Sequence, residues 1–160
     1  MKKLFLLTIS FLSGTIIGSS AVGEIINNEL TERIRSENRY FVNMMLLKKW
    51  MLSQQTGKNL ENYFKYNNYH EIAIYGMGHL GECLLNELRN SDIKVKYAID
   101  KNAGNILSEM DIMKIDDFLP DVDVIIVTAV YYYADIKREL EKVVKCPIIS
   151  LEEVIYFNAG

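Results

Sequence analysis

The sequence predicts an α/β fold built on a parallel sheet, preceded by an N-terminal transmembrane helix and a helical stalk. Three observations carry this expectation. A short β-branched run, Glu71-Ile-Ala-Ile-Tyr, leads into Gly76-Met-Gly78-His-Leu-Gly81, and a helical pattern follows at once. From there to the C-terminus, strand-like and helix-like segments alternate, the signature of parallel strands joined by right-handed crossovers. Ahead of them lies an apolar run and then a stretch with no Gly or Pro between Glu24 and Thr56.

The elements follow from these patterns in order. Met1-Lys2-Lys3 precedes an apolar run from Leu4 to Val22. At roughly 1.5 Å per residue, such a run just spans a hydrocarbon core of about 30 Å. A cleaved signal peptide is the competing reading, with Ser19-Ser20-Ala21 as its cleavage-like site. The length of the run favours an uncleaved anchor. Residues 1–23 are therefore read as a membrane anchor inserted through residues 4–22. Lys2 and Lys3 favour a cytoplasmic N-terminus, while Arg33, Arg35, Arg39, Lys48 and Lys49 on the other side of the run outweigh them modestly. Together with the nucleotide-type fingerprint at residues 76–81, they are read as placing the C-terminal domain of a single-pass cell-membrane protein in the cytoplasm. Residues 24–56 form the stalk, because Ile26, Leu30, Ile34, Phe41, Met44, Leu47 and Met51 recur at helical spacings. Self-association through residues 24–53 is one use of such a helix; lying along the acidic domain or the bilayer surface is the other. Trp50 is expected to pack, and Gln54-Gln55-Thr56-Gly57 to act as a linker.

Residues 57–160 then form the folded domain. A short helix runs from Lys58 to about Tyr66, and Asn67-Asn68-Tyr69-His70 turns the chain into the first strand. Strand Ile72–Tyr75, helix His79–Arg89 and strand Ile93–Ile99 come next. A short strand lies near 112–115, followed by strand Val122–Thr128 and helix Tyr132–Val144. Strand Pro147–Ile149 and helix Leu151–Tyr156 finish the chain, the helix opened by a capping box of Ser150 and Glu153. Asp123-Val-Ile-Ile-Val127 reads as a central strand buried on both faces. The expected strand order is 3-2-1-4-5, with a switch point between the first and fourth strands.

Ligands in open sheets of this kind bind beyond the carboxyl ends of the strands. Three segments converge there. In the first, Gly76, Met77, Gly78, His79, Leu80 and Gly81 form a dinucleotide-type fingerprint: a tight turn, a close backbone approach to a pyrophosphate, and close packing of helix on strand. The helix start offers unpaired N–H groups and the positive dipole end to an anion. In the second, Asp100 ends the following strand, where a ribose-binding carboxylate sits, with Lys101 beside it. Its charge favours a ribose without a 2′-phosphate. The third supplies Thr128 and Tyr131. Tyr133 and Lys137 have the spacing of a Tyr-x-x-x-Lys proton-transfer pair. They lie too early in the fold for that role, and helix-surface residues explain them better. No catalytic acid, base or nucleophile stands out.

Charge and cysteine content exclude other classes. Residues 1–68 carry nine Lys/Arg against five Glu, and residues 69–160 carry nine against sixteen Asp/Glu. The acidic part is a poor nucleic-acid partner, since phosphate contacts need clustered cations. The basic segment suits an anionic membrane surface. Cys83 and Cys146 have neither metal-ligand spacing nor the makings of a disulfide framework.

Ile74-Tyr-Gly-Met-Gly-His-Leu-Gly81, Tyr97-Ala-Ile-Asp-Lys-Asn102 and Asp121-Val-Asp-Val-Ile-Ile-Val-Thr128 resemble the small Rossmann domains of bacterial nucleotide-sugar and polysaccharide-biosynthesis proteins. The same module opens certain membrane-bound sugar dehydratases and sugar acetyltransferases. The resemblance spans about residues 70–156. It implies NAD(P) or a nucleotide-sugar as ligand, held by Gly76, Gly78, Gly81 and Asp100, and polysaccharide-biosynthesis proteins as partners. In such proteins a second, catalytic domain usually follows, whereas here the chain stops at Gly160. An accessory or regulatory nucleotide-binding module is the leading expectation. An oxidoreductase or sugar-modifying subunit completed by a partner chain, or a ligand-free scaffold, are the alternatives.

Overall fold

The computed structural model describes residues 2–105 and 110–159, with side chains described for 26–104 and 110–157. The chain divides into two compact units, Met1–Phe41 and Val42–Gly160. The first lies within one helix, α1 (Lys2–Gln55). Its described side chains are mostly exposed, with Arg33 paired to Glu29 at 2.8 Å and Arg35 to Glu32 at 2.7 Å. These are (i, i+4) and (i, i+3) ion pairs of the kind that stabilise a solvated helix modestly. The expected anchor over residues 4–22 lies outside the residues whose side chains are described. Among the described residues, no helix is long and apolar enough to cross a membrane.

The second unit holds the end of α1 and all the remaining elements. After α2 (Glu61–Tyr66), a turn places Asn68 at φ 57°, a conformation that Asn tolerates better than most residues. There follow β1 (Glu71–Tyr75), α3 (His79–Leu88), β2 (Lys94–Ile99) and a 3-10 turn at Ala103–Asn105. Then come β3 (Ile112–Met113), β4 (Val124–Val127), a second 3-10 turn at Val130–Tyr132, α4 (Tyr133–Leu140), β5 (Ile148–Ser150) and α5 (Leu151–Ala159). All neighbouring strands pair in parallel, in the order β3-β2-β1-β4-β5. This is the order that the alternation predicts. β1 lies between β2 and β4, so the chain leaves it in opposite directions and opens a crevice at the strands' carboxyl ends.

Side chains alternate across each strand and build two apolar layers. Ile72, Ile74, Ala98, Val124 and Ile126 face a layer with Leu84 and Leu88 of α3 and Leu151, Val154 and Ile155 of α5. Phe64 of α2 and Leu46 and Trp50 of α1 belong to that same layer. Ala73, Tyr75, Tyr97, Ile99, Ile125 and Val127 face the other way, against Ile136 and Leu140 of α4. Val124 to Val127 are each fully buried, as a central parallel strand requires.

Two expected details come out differently. The helix expected to reach Val144 stops at Leu140, and Val143 and Val144 both send their N–H groups back to the Leu140 carbonyl at 2.9 Å. Cys146 precedes Pro147, a position that disfavours helix, and the chain is already turning towards β5. The capping box at α5 is also incomplete. Ser150 Oγ accepts from the Glu152 N–H at 3.3 Å, while the Glu153 carboxylate accepts from the Tyr63 hydroxyl at 3.1 Å. The long-range phenol partner takes the place of the local one.

Candidate functional site

The crevice is shaped first by its glycines. Gly76 leaves β1 at φ +96°, a left-handed conformation that side chains rarely adopt. A Cβ on Gly81 would lie 2.1 Å from the Gly76 carbonyl oxygen, so only glycine lets α3 pack this closely on the end of β1. Gly78 differs from both. It caps α3 in extended backbone (φ −79°, ψ −168°), is exposed, and has nothing within 4 Å of a would-be Cβ. The space above it is open to a ligand.

The amides of the first turn divide in two. Gly76 N–H continues the ladder to the Ile99 carbonyl at 2.8 Å, and Met77 N–H donates to Asp100 Oδ2 at 2.8 Å. The amides of Gly78, His79, Leu80 and Gly81 have no acceptor among the described residues. These are the orphan donors of a helix start, backed by its dipole. Met77 does not obstruct them, because its side chain is buried in the layer beneath with Leu80 and Leu84. His79 is exposed at the first position of α3.

Asp100 does two jobs at the end of β2. Oδ2 holds the Met77 amide, and Oδ1 accepts from the Asn102 N–H at 2.8 Å in a local turn. Each carboxylate oxygen retains a lone pair for a further donor such as a ribose hydroxyl. Its charge is felt nearby: burial, then the negative charges of Glu139 and Asp100, push the Tyr75 phenol up. Lys101 is exposed next to Asp100 and forms no ion pair among the described residues.

Thr128 directly follows β4, below this opening, and is buried. Its hydroxyl lies 2.5 Å from the Gly76 carbonyl and 3.1 Å from that of Tyr75, while its amide donates to Tyr75 at 2.9 Å. It fixes the turn from beneath and is not presented to the crevice. Tyr131 is exposed in the 3-10 turn that follows. Tyr132, which no motif marks as a site residue, is exposed beside it, the two rings meeting edge to face at 5.2 Å. The aromatic run directly after a buried strand was the available signal. Tyr133 and Lys137 do not form a proton-transfer pair. The Tyr133 hydroxyl donates to the Ile148 carbonyl at 2.8 Å, and Lys137 Nζ sits over the ring at 5.8 Å from its centre.

The fold thus brings the Gly76–Gly81 turn and Asp100 into direct contact, with Lys101 adjacent in the chain, and sets Thr128 underneath. This arrangement can hold an anion on backbone amides and a hydroxyl on a carboxylate. Among the described residues, no cluster of His, Cys, Asp and Glu suits a metal ion. Comparison with known proteins finds no family model that matches the chain and no curated protein that matches it.

Proposed function

We propose that the chain binds a nucleotide diphosphate, NAD(P) or a nucleotide-sugar, at the carboxyl ends of β1 and β2, as an accessory or regulatory module. The observation that carries this reading is the set of amides from Gly78 to Gly81 that no acceptor takes, with open space at Gly78 itself. Unpaired N–H donors at a helix start are what a pyrophosphate needs. Asp100, one chain step from Lys101, supports a ribose contact beside the diphosphate. Its carboxylate disfavours a 2′-phosphate, so NAD or a nucleotide-sugar is preferred over NADP. The setting in surface-polysaccharide synthesis rests on the resemblance of residues 70–156, and tethering to the membrane rests on the apolar run of residues 4–22.

Thermal unfolding of the full chain with NAD(H), NADP(H) and UDP-sugars tests the reading. A ligand at a hundred times its Kd adds about 2.7 kcal/mol to stability and raises the melting temperature accordingly. No shift with any of them at millimolar concentration would overturn it.

A further inference from the structure

The sheet has a second opening, at the end away from the nucleotide crevice. Residues 117–122 lead into β4 and residues 143–146 lead towards β5, so both segments lie at the amino ends of their strands. Between them runs a groove of about 600 Å³. Its floor is held in place. Leu119, Val122, Val144 and Cys146 pack on the layer that contains Tyr97 and Ile148, and the Tyr97 hydroxyl donates to the Pro120 carbonyl at 2.8 Å. Its rim is apolar and bare. Phe118 is 88% exposed, more than any other large hydrophobic residue described, and Val143 is 54% exposed. The two walls also differ in charge. Asp117 and Asp121 stand on the first and Lys145 on the second, all exposed. Neither Asp121 nor Lys145 has an ion-pair partner among the described residues.

A protruding ring beside an apolar groove makes one face self-complementary, which is what a two-fold interface requires. Two axes lying in that face are open to a pair of copies, and charge separates them. An axis across the groove sets each wall against itself, Asp121 towards Asp121 and Lys145 towards Lys145. An axis along the groove sets residues 117–122 of one copy against residues 143–146 of the other. Phe118 then covers the valine wall of the second copy, and the acidic wall faces the basic one twice over. We propose that this groove binds a second copy of the chain about the axis along its length, with Phe118 of each copy seated in the groove of the other. The pairing withdraws the most exposed ring of the domain from water. It uses residues of the second compact unit alone, on the layer opposite the one that holds Leu46 and Trp50. A two-fold operation preserves each copy's direction along its axis, so both N-terminal runs enter one bilayer from the same side with that axis normal to it. The inference rests on no part of the nucleotide reading.

Substitution of three exposed side chains tests it, with the full chain in a mild detergent and the protein mass read by light scattering corrected for bound detergent. The wild-type chain is expected at twice the protomer mass. Phe118→Asp puts a carboxylate where the groove is apolar and should halve that mass. Asp121→Lys and Lys145→Asp each make both charged contacts repulsive and should dissociate at concentrations where the wild type stays paired. The double variant D121K/K145D restores opposite charges and should pair again. All three side chains are exposed, so the circular dichroism spectrum should be the same in every variant. A wild-type protomer mass at the highest soluble concentration overturns the proposal. So does a Phe118→Asp protein as dimeric as the wild type, the result expected of a pair held through α1 instead. A double variant no more dimeric than the single ones overturns it as well.

Discussion

Gly81 and Gly78 stand three residues apart in one motif, yet substitutions there should have opposite consequences. Gly81→Ala drives a methyl group into the backbone of Gly76. Neither the helix nor the turn has room to give, so stability should fall by about 1–3 kcal/mol in a denaturant titration. Gly78→Val meets open space and an extended backbone. It should leave the melting temperature close to wild type while abolishing the nucleotide-dependent shift, and a shift that survives would place the ligand elsewhere. Asp123 gives a third outcome at this scale. Its carboxylate accepts from the Glu71 and His70 amides at 2.8 and 2.7 Å, which holds its pKa below the ordinary range. A folded pKa below the unfolded value of about 3.9 means that the stabilisation is present above that value and lost as pH falls through the lower one. Asp123→Asn should therefore flatten the loss of stability on acidification below about pH 4.

The glycine roles were legible in the sequence because each is local: a turn, an opening and a helix start lie within six residues. The Asp100 bond to Met77 and the Thr128 clamp on Gly76 were not legible. They span more than twenty and more than fifty residues, and nothing in the spacing says which backbone group a carboxylate or hydroxyl will reach.

Among the elements, the end of α1 is bound most firmly by a single side chain. Glu87, on the last turn of α3, accepts from Trp50 Nε1 through one oxygen, which also accepts from Gln54 Nε2 at 2.9 Å. Its other oxygen accepts from the Leu60 amide at 2.7 Å. Glu87→Ala strands the indole and amide donors and should cost about 2–3 kcal/mol, read by denaturation followed through tryptophan fluorescence. A cost below about 0.5 kcal/mol would mean that apolar packing alone holds the segment. Helical periodicity identified this stretch as helix but not which of its faces would be covered. Met44 and Met51 are as apolar as Leu46, yet they stay exposed, and only the position of α3 and α2 decides between them.

At the scale of the whole molecule, strand order was readable because alternation and handedness leave few topologies open. The extent of the folded unit was harder to read. It begins at Val42, and Leu46 and Trp50 lie within its core. A protein cut to residues 57–160 should accordingly melt well below one comprising residues 42–160, since it loses the buried side chains of Leu46, Trp50 and Ser53 and two of the three donors that Glu87 holds. Equal melting temperatures would show that the end of α1 contributes nothing. The opposite layer sets an alkaline limit. Burial, then the charges of Cys146 and Asp121, push the Tyr97 phenol up to about 12, and its hydroxyl donates to the Pro120 carbonyl at 2.8 Å. A raised folded pKa gives stability that is complete below the unfolded value of about 10 and lost as pH rises through the folded one. Tyr97→Phe should make stability less steep in pH above about 10.

Glu87 and Gly78 are the two ends of one short helix, and the indole held at the far end is the only tryptophan in the chain. If the proposed ligand tilts that rod, the hydrogen bond between the Glu87 carboxylate and the single indole is the contact that feels it. The proposed occupancy would then be readable in unlabelled protein by the colour and intensity of its emission.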